Sequence, residues 1–373
     1  MTRIFLSAGE SSGDMHGAEL VAGLRRADPS VVCEGLGGPR MAAAGMDLHF
    51  DLASQGIMGF VEVVKRFGMM RRLFLTTVKR LEVARPDCVV LIDYPGFHLQ
   101  LAKRVKRMGI PIVYYIGPQV WAWKKGRIYT IAELVDKMLV ILPFEEALYR
   151  DVGVDCSYVG HPLLDQVAAF KPTGAFRDGL VIGLLPGSRE QEIERLLATM
   201  IEVARGIRER YPEARFVTPC VDRQREAQVR AIAGDFPLET AIGRTYELLD
   251  GARFCMVASG TATLEAALFG VPMVIMYKVA WLSYWLARLL VHIEHIGLVN
   301  ILAGKRVVPE FIQGAAKAAA MLPVALELIE DGPARETMLE ELAAVRDALG
   351  EGGASAHAAG AVLDVVQKGA GRG

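Results

Sequence analysis

The 373-residue chain has no apolar run approaching the ~18 residues that a membrane-spanning helix requires. It also lacks an excess of either charge: 43 acidic residues stand against 42 Lys and Arg. A chain so balanced offers no broad basic field for nucleic acid. The five cysteines (Cys33, Cys88, Cys156, Cys220 and Cys255) include no C-x-x-C pair, and they read as buried, reduced thiols in a cytosolic protein. No D-x-D triplet and no H-x-x-x-H spacing occur, so no metal site is expected. The first loop, SAGESSGDMHG, spaces Gly9, Gly13 and Gly17 four apart. That differs from the G-x-G-x-x-G dinucleotide fingerprint and disfavours a dehydrogenase. The start, MTRIFLSAGESSGD, enters a strand and loop directly, and no signal peptide is expected.

What the chain has in quantity is apolar residue, 52%, arranged in short runs between longer amphipathic stretches. RIFLSAG, CVVLIDY, IPIVYYI and DKMLVIL are short and rich in β-branched residues, as buried parallel strands are. Helical candidates lie between them at Gly17–Arg26, Gly68–Ala84 and Phe97–Met108. The rhythm breaks at FKPTGAFRDG and resumes with GLVIGLLPG, a helix over Glu190–Arg210, ARFVTPCV, ARFCMVASG and PMVIMYKV. These runs predict an α/β protein of two Rossmann-like, doubly wound domains, 1–172 and 173–335. Helices over 336–373 would be free to cross back to the first domain or exchange with another subunit. Ligands of such sheets bind beyond the carboxyl ends of the strands, here in an expected cleft between the domains.

The strand ends carry the chemistry. Glu10, Asp14 and His16 follow the first strand. Asp93 follows five apolar residues, where a partly desolvated carboxylate gains the raised pKa of a usable base, or else caps the next helix. In LLPGSREQEI, Gly187, Ser188 and Arg189 open a helix whose free N–H groups suit phosphate, with Arg189 able to fork onto its oxygens. VASGTATLEAALFG repeats the pattern: Ser259, Gly260, Thr261 and Thr263 open a second helix, and Glu265 lies one turn in, placed for ribose hydroxyls. Two anion-suited helix starts in one domain point to a diphosphate. A donor of this kind would be handled without metal, the leaving group being stabilised by helix dipoles and arginine.

In this order SAGESSGD, GLGGPRM, GIMGFVEV, LIDYPGFH, YIGPQVWAW, LPFE, YVGHPLLD, LLPGSR, SGTATLE, GVPMVIMYK and NILAGKRVVPEFIQ resemble the lipid-A-disaccharide synthase family, over residues 2 to about 365. Val299 departs from the pattern, which usually has Pro before Asn-Ile-Leu. The resemblance implies a GT-B fold and an inverting glycosyltransferase. It would join UDP-2,3-diacylglucosamine to 2,3-diacylglucosamine 1-phosphate, giving the lipid A disaccharide and UDP. By that analogy Asp93 is the base, Glu10 and His16 line the acceptor side, and Arg189, Gly260 and Thr261 hold the diphosphate. Glu265 would hold the ribose, and Asn300, Glu310 and Gln313 would complete the donor pocket.

A lipid substrate suits two segments. FVEVVKRFGMMRRLFLTTVKRL, residues 60–81, sets apolar residues beside Lys65, Arg66, Arg71, Arg72, Lys79 and Arg80, as a helix on an anionic membrane surface would, or a core-facing helix with a solvated basic face. WLSYWLARLLVHIEHI, residues 281–296, is rich in interfacial aromatics, with core packing the competing role. Lys124, Lys125 and Arg127 would suit an acceptor phosphate. With the family resemblance, which implies a Gram-negative bacterium, these features suit an enzyme on the cytosolic face of the inner membrane, monomer or homodimer. A UDP-sugar 2-epimerase shares the expected architecture but leaves the basic segment unexplained, and a non-catalytic nucleotide-sugar binder leaves Asp93, Glu10 and Arg189 unexplained.

Overall fold

A computed structural model describes residues 1–55, 67–280 and 294–370, which form two compact units. The first comprises Met1–Asp165 and Glu351–Gly373, the second Gln166–Gly350. In the first, β1 (Arg3–Ala8), β2 (Val32–Gly37), β3 (Asp47–Asp51), β4 (Cys88–Ile92), β5 (Ile112–Tyr115), β6 (Lys137–Val140) and β7 (Cys156–Tyr158) form one sheet. Its order is β3-β2-β1-β4-β5-β6-β7, every pairing parallel. In the second, β8 (Val181–Leu185), β9 (Arg215–Cys220), β10 (Leu238–Ile242), β11 (Phe254–Ala258), β12 (Met273–Tyr277) and β13 (Glu310–Ile312) are parallel in the order β10-β9-β8-β11-β12-β13. Both are doubly wound α/β sheets of the expected class.

Burial on both faces explains the unbroken apolar runs. Phe5, Val89, Leu91, Ile112 and Tyr114 point to one side of the first sheet, under Leu101, Ala102 and Val105 of the helix Pro95–Arg107. Ile4, Leu6, Val90, Ile92 and Val113 point to the other, under Leu20, Val21 and Leu24 of the helix Ser11–Ala27. All five cysteines are buried and unbridged, their thiols raised by burial where a shift is resolved.

The structure moves some boundaries. The first helix starts at Ser11, ahead of the expected Gly17, because Gly13 and Gly17 serve as close-contact points inside it. The unit boundary falls at 165/166, not 172/173. The C-terminal helices separate: Pro333–Ala348 stays with the second unit, its Met338 and Leu342 buried, while only Ala354–Ala370 joins the first. There Ala358, Ala359 and Val362 complete the core over Leu20 and Leu24.

That last helix approaches Ser11–Ala27 at Gly23, where an added Cβ would stand 2.9 Å from the Ser355 carbonyl oxygen. Gly23→Val should therefore cost about 1–3 kcal/mol of stability through overpacking, read by denaturant unfolding. Retention of full stability would show that the two helices are not held together there.

Candidate functional site

Ala8 of β1 pairs with Ile92 of β4, so the residues just beyond them leave adjacent strands at the same end of the sheet. This is the point where the strand order reverses, and the helices that follow the two strands go to opposite faces. Glu10 and Asp93 both lie there. Asp93 and Tyr94 have φ of 51° and 49°, two consecutive non-glycine residues in the left-handed region. Such conformations cost on the order of 1–3 kcal/mol each and persist only where surroundings enforce them. Pro95 then opens the next helix with φ already suited to it.

Burial, reinforced by the charge of Glu10, pushes the Asp93 carboxyl up to about 6, against the amide of Tyr94 and the His16 ring, which lower it. Asp93 thus ionises near neutrality, where a general base must operate. His16 is partly buried, with Nδ1 3.9 Å from Glu19 Oε2 and without a hydrogen-bond partner among the described residues. Next to it stands His161, whose ring burial holds neutral by lowering its pKa to about 4. Asp14 is not a strand-end acid: it is buried and accepts the Arg40 and Met41 amides at 3.1 and 3.0 Å, closing the start of the helix Pro39–Ala43. Nor do the loop glycines leave room for a ligand. A Cβ on Gly9 would meet the Tyr94 ring at 2.2 Å, and one on Gly17 would meet Met41 Sδ at 2.5 Å.

The second sheet repeats the plan at its own reversal point, where Leu185 of β8 pairs with Val257 of β11. Gly187, Ser188 and Arg189 follow one strand, Ser259, Gly260 and Thr261 the other, and together with Glu265 they line a pocket of about 400 Å³. The helices Glu190–Arg210 and Thr261–Leu268 begin at this pocket, and first-turn N–H groups of a helix have no partner within it. Arg189 is exposed and lies 3.3 Å from Glu192 Oε1, while Glu192 Oε2 accepts the Arg189 amide at 3.2 Å. Glu192, which was not singled out from sequence, therefore occupies the acceptor position that an incoming anion would take. Glu265 accepts from the Tyr246 hydroxyl at 3.4 Å, and burial raises its pKa.

Some predicted donor-pocket residues work inside the protein. Asn300 is fully buried and spends its amide on Val308 O (2.8 Å), Glu310 Oε1 (2.9 Å) and the Val307 and Val308 amides (both 2.9 Å). Glu310 accepts the amides of Ile296 and Gly297, and Gln313 makes a two-way pair with Val279 N and O, both at 3.0 Å. The Thr263 hydroxyl donates to Gly260 O and that of Ser259 to Ile296 O, each at 2.8 Å. These five shape the loops around the pocket. Val299, which takes the place of the usual proline, is buried near the start of the helix Leu298–Ala303, where a proline also fits.

Of the basic segment, residues 60–66 lie outside the described residues, as do 281–293 of the aromatic one. The described remainder forms the helix Phe67–Ala84. With Pro95–Arg107 it bounds a groove of about 420 Å³, floored by Met70, Phe74 and Phe97 and rimmed by Arg71, Lys103, Arg104 and Arg107. Trp121 is a packing residue, its Nε1 donating to Glu145 and its ring edge-on to Phe144. Trp123 is exposed under Lys124 and Arg127. Among the described residues one group, Glu34, Asp47 and His49, has metal-like proximity, but Arg3 already holds both oxygens of Glu34 at 3.1 and 3.2 Å.

The profile of the lipid-A-disaccharide synthetase family matches residues 4–361. The lipid-A-disaccharide synthase of Syntrophus aciditrophicus is 43% identical, over 98% of each chain. Two solved structures share the fold at low identity. A protein from Listeria monocytogenes assigned as a UDP-N-acetylglucosamine 2-epimerase has a TM-score of 0.67 at 13% identity, covering 100% of this chain and 97% of its own. MurG of Acinetobacter baumannii has a TM-score of 0.61 at 14% identity, covering 98% and 100%.

Asn300 separates a scaffold role from ligand contact. Asn300→Leu strands the buried Val308 amide and the partly buried Val307 amide and should cost about 2–4 kcal/mol, read as a lowered unfolding midpoint without ligand. An unchanged midpoint with weakened nucleotide binding would return Asn300 to the pocket.

Proposed function

Since the chain belongs to the lipid-A-disaccharide synthase family and is a GT-B glycosyltransferase of lipid A biosynthesis, we propose that Asp93 is its general base and that the β8/β11 pocket holds the donor's diphosphate. The donor is UDP-2,3-diacylglucosamine and the acceptor 2,3-diacylglucosamine 1-phosphate. The observation that carries this reading is Asp93 itself, a carboxylate set on a strained turn with its pKa raised to about 6.

Asp93 takes the proton of the acceptor 6-hydroxyl. The oxygen forms its bond to the anomeric carbon from the face opposite the leaving group, inverting it, while the carbon–oxygen bond to the diphosphate breaks and UDP departs with the negative charge. Arg189 and the N–H groups at Thr261 and Ala262 offset that charge, the guanidinium exchanging Glu192 for phosphate. Glu265, already within reach of Tyr246, accepts from the ribose. Glu10 and His16 line the acceptor side, and no metal is required.

An epimerase needs no acceptor, so UDP release from the donor, with and without acceptor and in EDTA, decides between the two. Release that requires acceptor, survives EDTA and falls at least ~100-fold in Asp93→Ala is the expected result. Release without acceptor would overturn the transferase reading, and full activity of Asp93→Ala would move the base to Glu10 or His16.

The acyl chains of both substrates reside in a bilayer, and no described helix is long and apolar enough to cross one. The groove of Met70, Phe74 and Phe97 with its four cations is the proposed contact with the cytosolic leaflet. Replacing Arg71, Arg104 and Arg107 together by Ala should weaken binding to anionic vesicles on the order of 100-fold, at ~1 kcal/mol per cation. Unaltered sedimentation with those vesicles would remove the groove from the membrane contact.

A further inference from the structure

Three buried polar side chains lie behind the Asp93 turn and have no part in the transfer as described. His98, fully buried, places Nδ1 2.6 Å from the Asp93 backbone carbonyl oxygen. The Tyr114 hydroxyl, on the neighbouring strand, donates to the same oxygen at 2.7 Å. Ser7, fully buried on β1, lies 2.8 Å from His98 Nε2. Because a carbonyl only accepts, His98 carries its proton on Nδ1. That carbonyl therefore fixes the tautomer, and Nε2 accepts from the Ser7 hydroxyl, which rotates to donate. Burial keeps the ring neutral by lowering its pKa to about 4. The Asp93 amide, for its part, donates to Tyr115 O at 3.1 Å.

We infer that His98 and Tyr114 are positioning residues, which aim the Asp93 carboxylate by gripping the carbonyl of that same residue from behind. The inference rests on Asp93 being the base. Apolar side chains would fill this space without any need for partners, whereas buried polar groups are costly unless paired. Here both donors converge on the carbonyl of Asp93, which with its neighbour Tyr94 adopts the left-handed conformation. Their hydrogen bonds to Asp93 go to its main chain, although the Asp93 charge also helps burial to raise the Tyr114 hydroxyl. The carboxylate faces Glu10 and His16 from the first strand end and helix, with Tyr94 beside it, and His161 in turn stands by His16. Tyr114 is itself near Tyr149 and Arg127. Loss of the grip frees the turn to relax, and the carboxylate loses both its aim and its shelter from water.

The test compares Tyr114→Phe, His98→Leu, His98→Asn and Asp93→Asn in the full enzyme, by kcat, donor KM, the pH dependence of kcat and unfolding midpoint. Tyr114→Phe and His98→Leu should lower kcat roughly 10- to 100-fold, as displacement of a catalytic group by ~1 Å does. Donor KM should stay at the wild-type value, and the acid limb should move from about 6 toward the ordinary carboxylate range. His98→Asn, which keeps an N–H near the Nδ1 position, should recover most of the rate. If His98→Leu fails to fold, Tyr114→Phe and His98→Asn decide. Wild-type kcat and an unmoved limb in Tyr114→Phe overturn the inference, as do equal rates for folded Leu and Asn variants at position 98. An active Asp93→Asn would instead remove the base assignment. An inactive Asp93→Asn beside fully active Tyr114→Phe and His98→Leu removes the positioning role alone.

Discussion

Each sheet contains one place where neighbouring strands send their helices to opposite faces, and the proposed chemistry depends on those two places. Between β1 and β4 the divergence leaves the carboxyl ends of both strands uncovered, so that Glu10 and Asp93 stand close without either helix lying over them. Between β8 and β11 the same divergence leaves two helix starts beside one pocket. Parallel pairing sets the positions: once Ala8 is opposite Ile92, the next residues of each strand have nowhere else to emerge. A sheet buried on both faces resists slippage, because a one-residue shift would exchange the side chains of its two cores.

Opposing forces are then concentrated on one residue. Burial and the nearby Glu10 charge favour the protonated form of Asp93, while the Tyr94 amide and His16 favour the ionised one, and burial wins. The backbone beneath is strained, and the strain is sustained by a framework of buried hydrogen bonds. In the second unit the electrostatics are of a different kind. Two helix starts and Arg189 lie beside one pocket, and Glu192 holds Arg189 at the position proposed for the donor's diphosphate.

Much of this was legible in the sequence because strand ends announce themselves. Asp93 follows five apolar residues, and Arg189 and Thr261 each open a helix after a strand and a glycine. The outer two strands on one side were harder: VCEGLG of β2 and DLHFD of the edge strand β3 lack the β-branched run that marked the central ones, and neither was anticipated. Sequence did not reveal that Asn300, Glu310, Gln313 and Thr263 hydrogen-bond inside the protein, and the reason is physical. A polar residue in a loop near a pocket looks the same in sequence whether it faces a ligand or satisfies the backbone. His98 and Tyr114 were invisible because their partner is a main-chain carbonyl, which leaves no trace in residue type. The glycines of the first loop serve internal packing, because Tyr94 lies against Gly9 and Met41 against Gly17.

The central claim is that the fold makes Asp93 a base for near-neutral pH, and direct titration of its carboxyl tests that without relying on turnover. With carboxyl-labelled aspartate followed by carbon NMR, and the signal assigned by its loss in Asp93→Asn, the predicted midpoint is about 6. A midpoint near the ~4 of an ordinary aspartate would mean that water reaches the carboxylate freely, and would contradict the account.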